Sequence, residues 1–473
     1  MALHADSDTI VARATPSGRG GVAIVRLSGQ RARELAEGVG GRLPPVREAE
    51  LRALRDLDGG LIDRGLVLWF QAPHSFTGED VVEFHVHGSP VVVEMLLGVL
   101  AQSGARPADP GEFSQRAFLN GRMDLAQAEA IADLIASASA EGARAAVRSL
   151  EGELSAGVTA LIDGLAACRA RLEAGLDFPE EGIDEFSDPG LDAELLRLLA
   201  AIDELHESAA RGRVLRDGMT LVIAGAPNVG KSSLLNRLAG YEAAIVTELP
   251  GTTRDLVRED ILVDGMPVRV VDTAGLRASD DRVEAEGMRR AHAAMQAADL
   301  VVLMREAGDD STSYLPGRVF SRPGQAPAPL GEAATDPAAA ALPDGIPVLH
   351  VHNKIDLAGQ PAGETKDVAG NGVIRLSALT GDGLDLLREH LKRVAGYTGE
   401  AGGACSARSR HLEALDRGRR HIETARIALL ESATAELAAE DLRLAQQALG
   451  EITGEVTTED LLGRIFSEFC IGK

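Results

Sequence analysis

Apolar residues recur along this chain with two periods, and the changes between them divide it. Short runs (Val22 to Leu27, Leu66 to Phe70, Val81 to Val86) alternate with glycine-rich turns up to about residue 120, and Pro90 to Ala101 reads as a helix. That mixture predicts an α+β domain over residues 1–120. From Asp124 the spacing turns helical (Leu125, Ala128, Ile131, Ala132, Ile135) and continues to about Leu176. It breaks at Phe178-Pro179-Glu180-Glu181-Gly182 and resumes from Leu191 to Leu215. Strand-like runs then take over: Thr220 to Ala224, a hairpin over Ile261 to Val268, Val301 to Met304, Val348 to His352 and Val373 to Leu376. Helical periodicity returns after about Ser406 and runs through Leu442 to Leu462. The simplest organisation is one all-α domain (121–216 and 398–473) interrupted by an α/β domain (217–397). Such insertion requires the guest's two ends to lie close together.

Composition changes this picture little. A 473-residue chain with 45% hydrophobic and 25% charged residues is an ordinary globular protein of several domains. The net charge of −24 argues against a generally basic surface but leaves a local RNA-binding patch open. The densest basic run is Arg408, Arg410, Arg417, Arg419, Arg420 and Arg426, diluted by Glu413, Asp416 and Glu423. It reads either as a solvated helix face or as an RNA contact. Cys168, Cys405 and Cys470 are too far apart for a disulfide framework or a zinc spacing, which suits a reducing cytoplasm. No run is long enough to span a membrane and the N-terminus lacks a signal-peptide pattern, so a cytoplasmic protein is expected. Lysine is confined to Lys231, Lys354, Lys366, Lys392 and Lys473, in a chain that otherwise uses arginine.

Candidate chemistry centres on Gly225-Ala-Pro-Asn-Val-Gly-Lys-Ser232, between an apolar strand and a helix. Its glycines let backbone N–H groups turn inward around phosphate, Lys231 reaches the outer phosphates, and Ser232 offers a hydroxyl to Mg²⁺. Downstream, Gly251-Thr252-Thr253-Arg254-Asp255 can complete the Mg²⁺ shell as a switch segment, and Asp272-Thr273-Ala274-Gly275 ends a strand where a carboxylate serves Mg²⁺ and Gly275 N–H serves the γ-phosphate. Asn353-Lys354-Ile355-Asp356 supplies a carboxylate for the guanine N–H donors and a lysine stem to cover the base, and Ser377-Ala378-Leu379 completes the pocket. Four signals in this order specify GTP. Leu276 occupies the place where many small GTPases carry a water-orienting glutamine. Glu284 is a candidate for that role, or simply a surface carboxylate. Arg254 and Arg277 are candidate arginine fingers, and a monovalent cation near Asn228 is the alternative source of positive charge. Elsewhere, Glu83, His85 and His87 share one strand face where His-x-His could bind metal, although no third ligand is apparent, and Arg26 is assigned to solvent by alternation. The Pro/Ala-rich stretch from Glu306 to Gly345 reads as a surface loop without chemistry.

With these residues in hand the chain resembles the bacterial MnmE (TrmE) family of tRNA-modification GTPases over essentially its whole length. The carriers are Thr15-Pro-Ser-Gly-Arg-Gly-Gly21, Phe76-Thr-Gly-Glu-Asp80, Pro110-Gly-Glu-Phe-Ser114, the phosphate loop, Gly251 to Asp255, Asp272 to Arg277, and the terminal Phe469-Cys-Ile-Gly-Lys473. The resemblance implies an N-terminal domain that binds 5-formyl-tetrahydrofolate and dimerises, a helical domain and an inserted G domain. It implies a homodimer acting on tRNA with the FAD-dependent partner MnmG. Together they add an aminomethyl or carboxymethylaminomethyl group at C5 of the wobble uridine, and neither DNA nor a membrane is implied. By matching position, Asn228, Thr247, Leu249 and Thr252 would surround K⁺, and Ser232 and Thr253 would bind Mg²⁺. GTP would contact Asn228 to Ser233 (including Val229 and Gly230, Ser233 closing the run), Thr247 to Thr253 (including Glu248 and Pro250), Asp272 to Gly275, Asn353, Lys354, Asp356, Ser377 and Ala378. Glu284, Lys231, Asp272 and Arg277 would act in hydrolysis. Arg26, Glu83, Arg122 and Lys473 would hold folate, with Arg122 standing where lysine is expected. A second departure is Arg305-Glu306, where an acid is commoner. Cys470 is either a buried apolar residue or a functional thiol. Two rival readings are an RNA-binding assembly GTPase, for which no appended basic domain is found, and a folate transferase with a vestigial G domain, against which the complete nucleotide motifs weigh.

Overall fold

A computed structural model describes residues 8–177, 189–239, 258–272, 296, 298–308, 346–367, 370–397, 403–432, 435–456, 458–467 and 469–472. Two compact units emerge: Met1–Ala132, Ser149–Ile202 and Glu413–Lys473 form one, Asp133–Arg148 and Asp203–Leu412 the other.

The first unit opens with β1 (Ile10–Arg13), β2 (Gly20–Ser28), α1 (Ala32–Gly40), β3 (Glu50–Arg55), β4 (Leu61–Phe70), β5 (Val81–Gly88), α2 (Pro90–Gln102), β6 (Arg106–Pro107) and α3 (Glu112–Leu119). The strands form one sheet in the order β3-β4-β5-β2-β1-β6. Alternation sends Val25, Leu27, Val82 and Phe84 into a core shared with Leu96 and Leu100 of α2. Phe76 and Phe113 pack with Ile10 and Ala12 in a smaller cluster. Arg26 therefore departs from the solvent assignment: its guanidinium lies 5.3 Å from the Phe76 ring centroid and 5.7 Å from that of Phe113. Alternation names a face of a strand, but only the tertiary fold says what covers it.

The helical run predicted from Asp124 to about Leu176 is three helices: α4 (Leu125–Ala136), α5 (Ala140–Leu150) and α6 (Glu153–Asp177). Apolar spacing carries across both breaks, which local chemistry makes. Ser139 Oγ accepts Gly142 N–H, an N-terminal cap, and Gly152 takes φ +91°. Next comes α7 (Pro189–Asp217). The predicted break at Phe178 to Gly182 lies outside the described residues.

In the second unit, β7 (Met219–Gly225) leads to α8 (Lys231–Ala239). After them come β8 (Arg258–Val263), β9 (Met266–Asp272), β10 (Leu300–Glu306), β11 (Val348–Asn353), α9 (Ile355–Ala358), β12 (Gly363–Lys366), β13 (Gly372–Arg375) and α10 (Leu384–Ala395). The sheet order is β12-β13-β11-β10-β7-β9-β8. Its central strands are parallel. They are buried on both faces, with Leu221 and Ile223 in one core and Val222 and Ala224 in another. Covering both faces is why this run is apolar without alternation. The chain before β7 and the chain after α10 meet at the buried Asp133. Its carboxylate accepts Arg216 Nε at 2.8 Å, Ser406 Oγ at 2.7 Å and Arg408 at 3.3 Å. One carboxylate thus ties together the two ends of the α/β segment, the proximity that insertion requires.

The remaining helices are α11 (Ser409–Ile427), continued by a π-helical turn (Ala428–Ser432), then α12 (Ala435–Thr453) and α13 (Glu459–Ser467). Most of the basic run on α11 is neutralised within the structure. Arg417 pairs with Glu451 at 2.6 Å, Arg419 with Glu423 at 2.8 Å and Arg426 with Asp192 at 2.6 Å. These pairs favour the structural reading of that run over RNA contact. Among the described residues no helix is long and apolar enough to cross a membrane, and no group of three or more His, Cys, Asp or Glu could hold a metal ion. His87 pairs instead with Asp63 at 2.9 Å, and His85 with Glu83 at 3.3 Å.

Candidate nucleotide and folate sites

Strand register carries the predicted nucleotide motifs to one edge of the second sheet. Ile223 pairs with Asp272, Met304 with Gly225, and Glu306 with Asn353, so the carboxyl ends of β7, β9, β10 and β11 lie together. Ligands of open parallel sheets bind at that edge. The loop from Gly225 to Lys231 makes its turns through positive φ at Gly225 (+149°), Asn228 (+66°) and Gly230 (+99°). Gly230 is obligatory on a second ground: a Cβ there would stand 2.2 Å from Asn353 Nδ2. Lys231 is buried, and its ammonium donates to the carbonyls of Gly225 (2.8 Å) and Ala226 (2.9 Å), which holds it within the loop. Ser232 and Ser233 are exposed in the first turn of α8, the end whose partial positive charge favours phosphate.

Asn353 is the hinge-pin of the arrangement. Its Nδ2 donates to Val229 O at 2.8 Å, and its Oδ1 accepts Ala378 N–H at 2.9 Å. One buried amide thereby joins the phosphate loop to the Ser377-Ala378 loop, both of them parts of the predicted pocket. Ser377 is fully buried, and its hydroxyl accepts Thr380 N–H at 3.1 Å, which shapes that loop. Lys354 follows at φ +66°, and its ammonium pairs with Glu306; Asp356 is exposed in α9. Glu306, noted in sequence only as a departure, thus proves to be the partner of a motif lysine. Asp272 is described in its backbone alone. Glu284, Arg277, Arg254, Leu276, Thr247, Glu248, Leu249, Pro250, Gly251, Thr252, Thr253, Thr273, Ala274, Gly275 and Lys473 lie outside the described residues.

Of the predicted folate group, the first unit brings Arg26 and Glu83 together. Arg26 donates through Nε to Glu83 Oε1 at 3.0 Å, and the two side chains are 21% and 14% exposed, reachable from solvent but largely enclosed. Arg122 is exposed, its stem beside Gly78 of the Phe76-to-Asp80 motif. The C-terminal motif packs onto the turn before α3: Ile471 bridges Pro110, and Gly111 N–H donates to Cys470 O at 3.3 Å. Gly472 lies so close to β1 that a Cβ would stand 2.2 Å from Arg13 O. Cys470 itself is exposed, unlike Cys168 and Cys405, which corrects the buried-apolar alternative.

A neighbouring ion network escaped sequence reasoning. Arg116 pairs with Asp8 (2.6 Å), Glu112 (2.9 Å) and Glu79 (3.1 Å), while Arg106 pairs with Glu112 (2.6 Å) and Asp8 (2.8 Å). The i,i+4 spacing of Glu112 and Arg116 was its only local signal. Burial alone would raise the Glu112 carboxyl, but its hydrogen bonds to Arg106, Asp109 N–H and Arg116 outweigh this and lower it. Asp8 is lowered in the same way by Arg106 and Arg116. A lowered folded-state pKa adds stability above the unfolded value, and that stability is lost as pH falls through the folded value. Acid titration of intrinsic fluorescence from Trp69 is therefore expected to show this unit holding until below the ordinary carboxylate range. Arg106→Gln should move its loss of structure to higher pH, and an unmoved transition would deny the network this role.

A glycine-bounded phosphate loop and the Asn353-to-Asp356 motif, both at the carboxyl edge of a parallel sheet, fit the class of phosphate-loop GTPases. Comparison with known proteins narrows the class. A profile described as "MnmE helical domain" matches residues 125–470 and one described as "GTP-binding protein TrmE N-terminus" matches residues 9–122. The tRNA modification GTPase MnmE of Alkalilimnicola ehrlichii is 53% identical over 466 residues, covering 98% of this chain and 99% of the relative. The chain belongs to the MnmE family of tRNA modification GTPases, with a TrmE-type N-terminal domain, a helical domain and a GTP-hydrolysing G domain. Among solved structures, the G domain of the T. maritima FeoB iron transporter is 22% identical and covers 37% of this chain and 98% of its own, at a TM-score of 0.23. A GTP-binding protein of Sulfolobus solfataricus in complex with GDP is 17% identical and covers 50% and 67%, at 0.25. Scores so low assign nothing further.

Proposed function

We propose that this GTPase works as a homodimer in the cytoplasm with an FAD-dependent MnmG partner to modify C5 of the wobble uridine in certain tRNAs. The group added is aminomethyl or carboxymethylaminomethyl, its one-carbon unit comes from a folate, and GTP hydrolysis drives the conformational change. The observation that supports the tRNA-modification reading is the 53% identity to an MnmE over 98% of this chain, and the nucleotide part of it is supported by the Asn353 clamp between the phosphate loop and the Ser377-Ala378 loop. We assign functional domains to residues 1–120, 121–216 with 398–473, and 217–397.

Within the pocket, Lys231 exchanges its two loop carbonyls for β- and γ-phosphate oxygens, and Asp356 accepts from guanine, which rejects adenine. The donor set fits hard cations. Ser232 and Thr253 offer hydroxyl oxygens to Mg²⁺, with Asp272 nearby on β9, and Asn228, Thr247, Leu249 and Thr252 offer neutral oxygens to K⁺. When bound, these cations neutralise charge on the phosphates. Glu284 orients the attacking water and Arg277 contributes positive charge. In the N-terminal domain, Arg26, Arg122 and Lys473 suit the carboxylates of a folate's glutamyl tail and Glu83 suits the pterin N–H donors; the half-buried Arg26–Glu83 pair supports this fit. The exposed apolar side chains of Leu51, Leu66 and Val22 on the same sheet support dimerisation there.

The decisive experiment is mass analysis of wobble uridine in tRNA from cells lacking this protein, where the modified nucleoside is expected to disappear. Unchanged tRNA would overturn the proposal. In the purified protein, GTP turnover should be far faster in K⁺ than in Na⁺; equal rates would remove the monovalent cation from it.

A further inference from the structure

An acid outside the nucleotide motifs stands beside the guanine-binding strand end. Glu306 closes β10 in register with Asn353, and its carboxylate accepts Lys354 Nζ. Arg305, one residue earlier, acts elsewhere: after burial, it is the leading influence that lowers the His350 pKa. Strand alternation sends Arg305 and Glu306 to opposite faces of β10, and of the two it is Glu306 that pairs with Lys354. Lys354 is delivered to that acid by its left-handed backbone (φ +66°), and Ala307 N–H donates to Asn353 O at 2.7 Å, fastening the end of β10 to the motif. The paired side chains are 29% and 50% exposed, so the ion pair sits at a rim that solvent reaches.

We propose that Glu306 is a positioning residue for guanine nucleotides: its carboxylate holds the Lys354 ammonium so that the lysine stem stands as a preformed wall of the base pocket. The proposal rests on reading Asn353 to Asp356 as the guanine motif. A free lysine samples many rotamers, and fixing one before binding removes an ordering cost that the nucleotide would otherwise meet. GTP and GDP share the base, so both are affected alike. The reacting phosphate lies at the other end of the nucleotide, so hydrolysis at saturation is not.

The test is titration of the full-length protein with fluorescently labelled GDP and GTP, alongside steady-state turnover. Glu306→Gln is expected to weaken both nucleotides by a common factor of about three to five, the scale of a partly exposed ion pair, and to raise KM with kcat unchanged. Glu306→Asp, which keeps the charge, should recover part of the loss. The difference between wild type and Glu306→Gln should shrink in about 1 M salt, which screens the pair. In a Lys354→Gln background, Glu306→Gln should cost nothing more. Unchanged affinity in Glu306→Gln while Lys354→Gln binds weakly would overturn the proposal, as would an equal loss in the Lys354→Gln background. If Lys354→Gln itself bound normally, the guanine-motif assignment would fall instead.

Discussion

Asn353→Ala is expected to remove most of the protein's affinity for GTP and GDP. The residue is 2% exposed, and its amide makes two hydrogen bonds, to Val229 O and from Ala378 N–H. Alanine would orphan both backbone groups, at a cost of about 1–3 kcal/mol each. It would also leave a small cavity between two loops that must meet around one ligand. A penalty of about 3–4 kcal/mol, taken up mostly in binding, corresponds to roughly a hundredfold to several hundredfold weaker affinity. Nucleotide titration measures it directly, and thermal melting of the free protein should fall as well. Retained affinity would mean that the phosphate loop holds its shape through its own turns, leaving the clamp incidental. Asn353→Asp separates the two bonds: its carboxylate can still accept Ala378 N–H but can no longer donate to Val229 O, so an intermediate or larger loss is expected.

Gly111→Val is expected to detach the C-terminal motif from the N-terminal domain. Gly111 takes φ +68°, which disfavours any β-branched residue, and a Cβ there would lie 2.5 Å from Phe466 O and 2.9 Å from Phe469 Cβ. Strain of the backbone and collision with α13 act together, and neither is relieved by rotating a side chain. The local packing of Leu125, Leu462, Phe466 and Phe469 would be disturbed, and the bridge between Pro110 and Ile471 lost. Cys470 offers a convenient reporter because it is exposed whereas Cys168 and Cys405 are buried. A spin label there should show slow motion in the wild type and fast motion in the variant. If the proposed folate site includes Lys473, folate binding should fall with it, while GTP turnover should persist because the nucleotide motifs lie in the other unit. An unchanged spectrum would show that the tail is held by contacts other than this turn.

Much of the architecture was legible in apolar spacing. The strands at Val22 to Leu27, Val81 to Val86, Thr220 to Ala224 and Val348 to His352 each fall within an observed strand, and the helix from Pro90 ends one residue beyond its predicted limit. The hairpin over Ile261 to Val268 turns at Asp264-Gly265, both at positive φ, which is the chemistry that such dipeptides signal. Long helices were harder. Periodicity saw one helical stretch between Leu125 and Leu176, because a capping serine and a left-handed glycine interrupt a helix without interrupting its apolar face.

Residue types at close spacing state what a loop can bind, so Gly225 to Ser232 reads as a phosphate loop and Asn353 to Asp356 as a guanine motif from the sequence alone. Partnerships between distant segments needed the folded chain. Asn353 with Val229 and Ala378, Lys354 with Glu306, Arg26 between two phenylalanines and Asp133 with Arg216 and Ser406 each join residues that no local pattern relates. The reason is physical. Backbone geometry and periodicity act over a few residues, whereas burial and ion pairing depend on which surfaces the whole chain brings together.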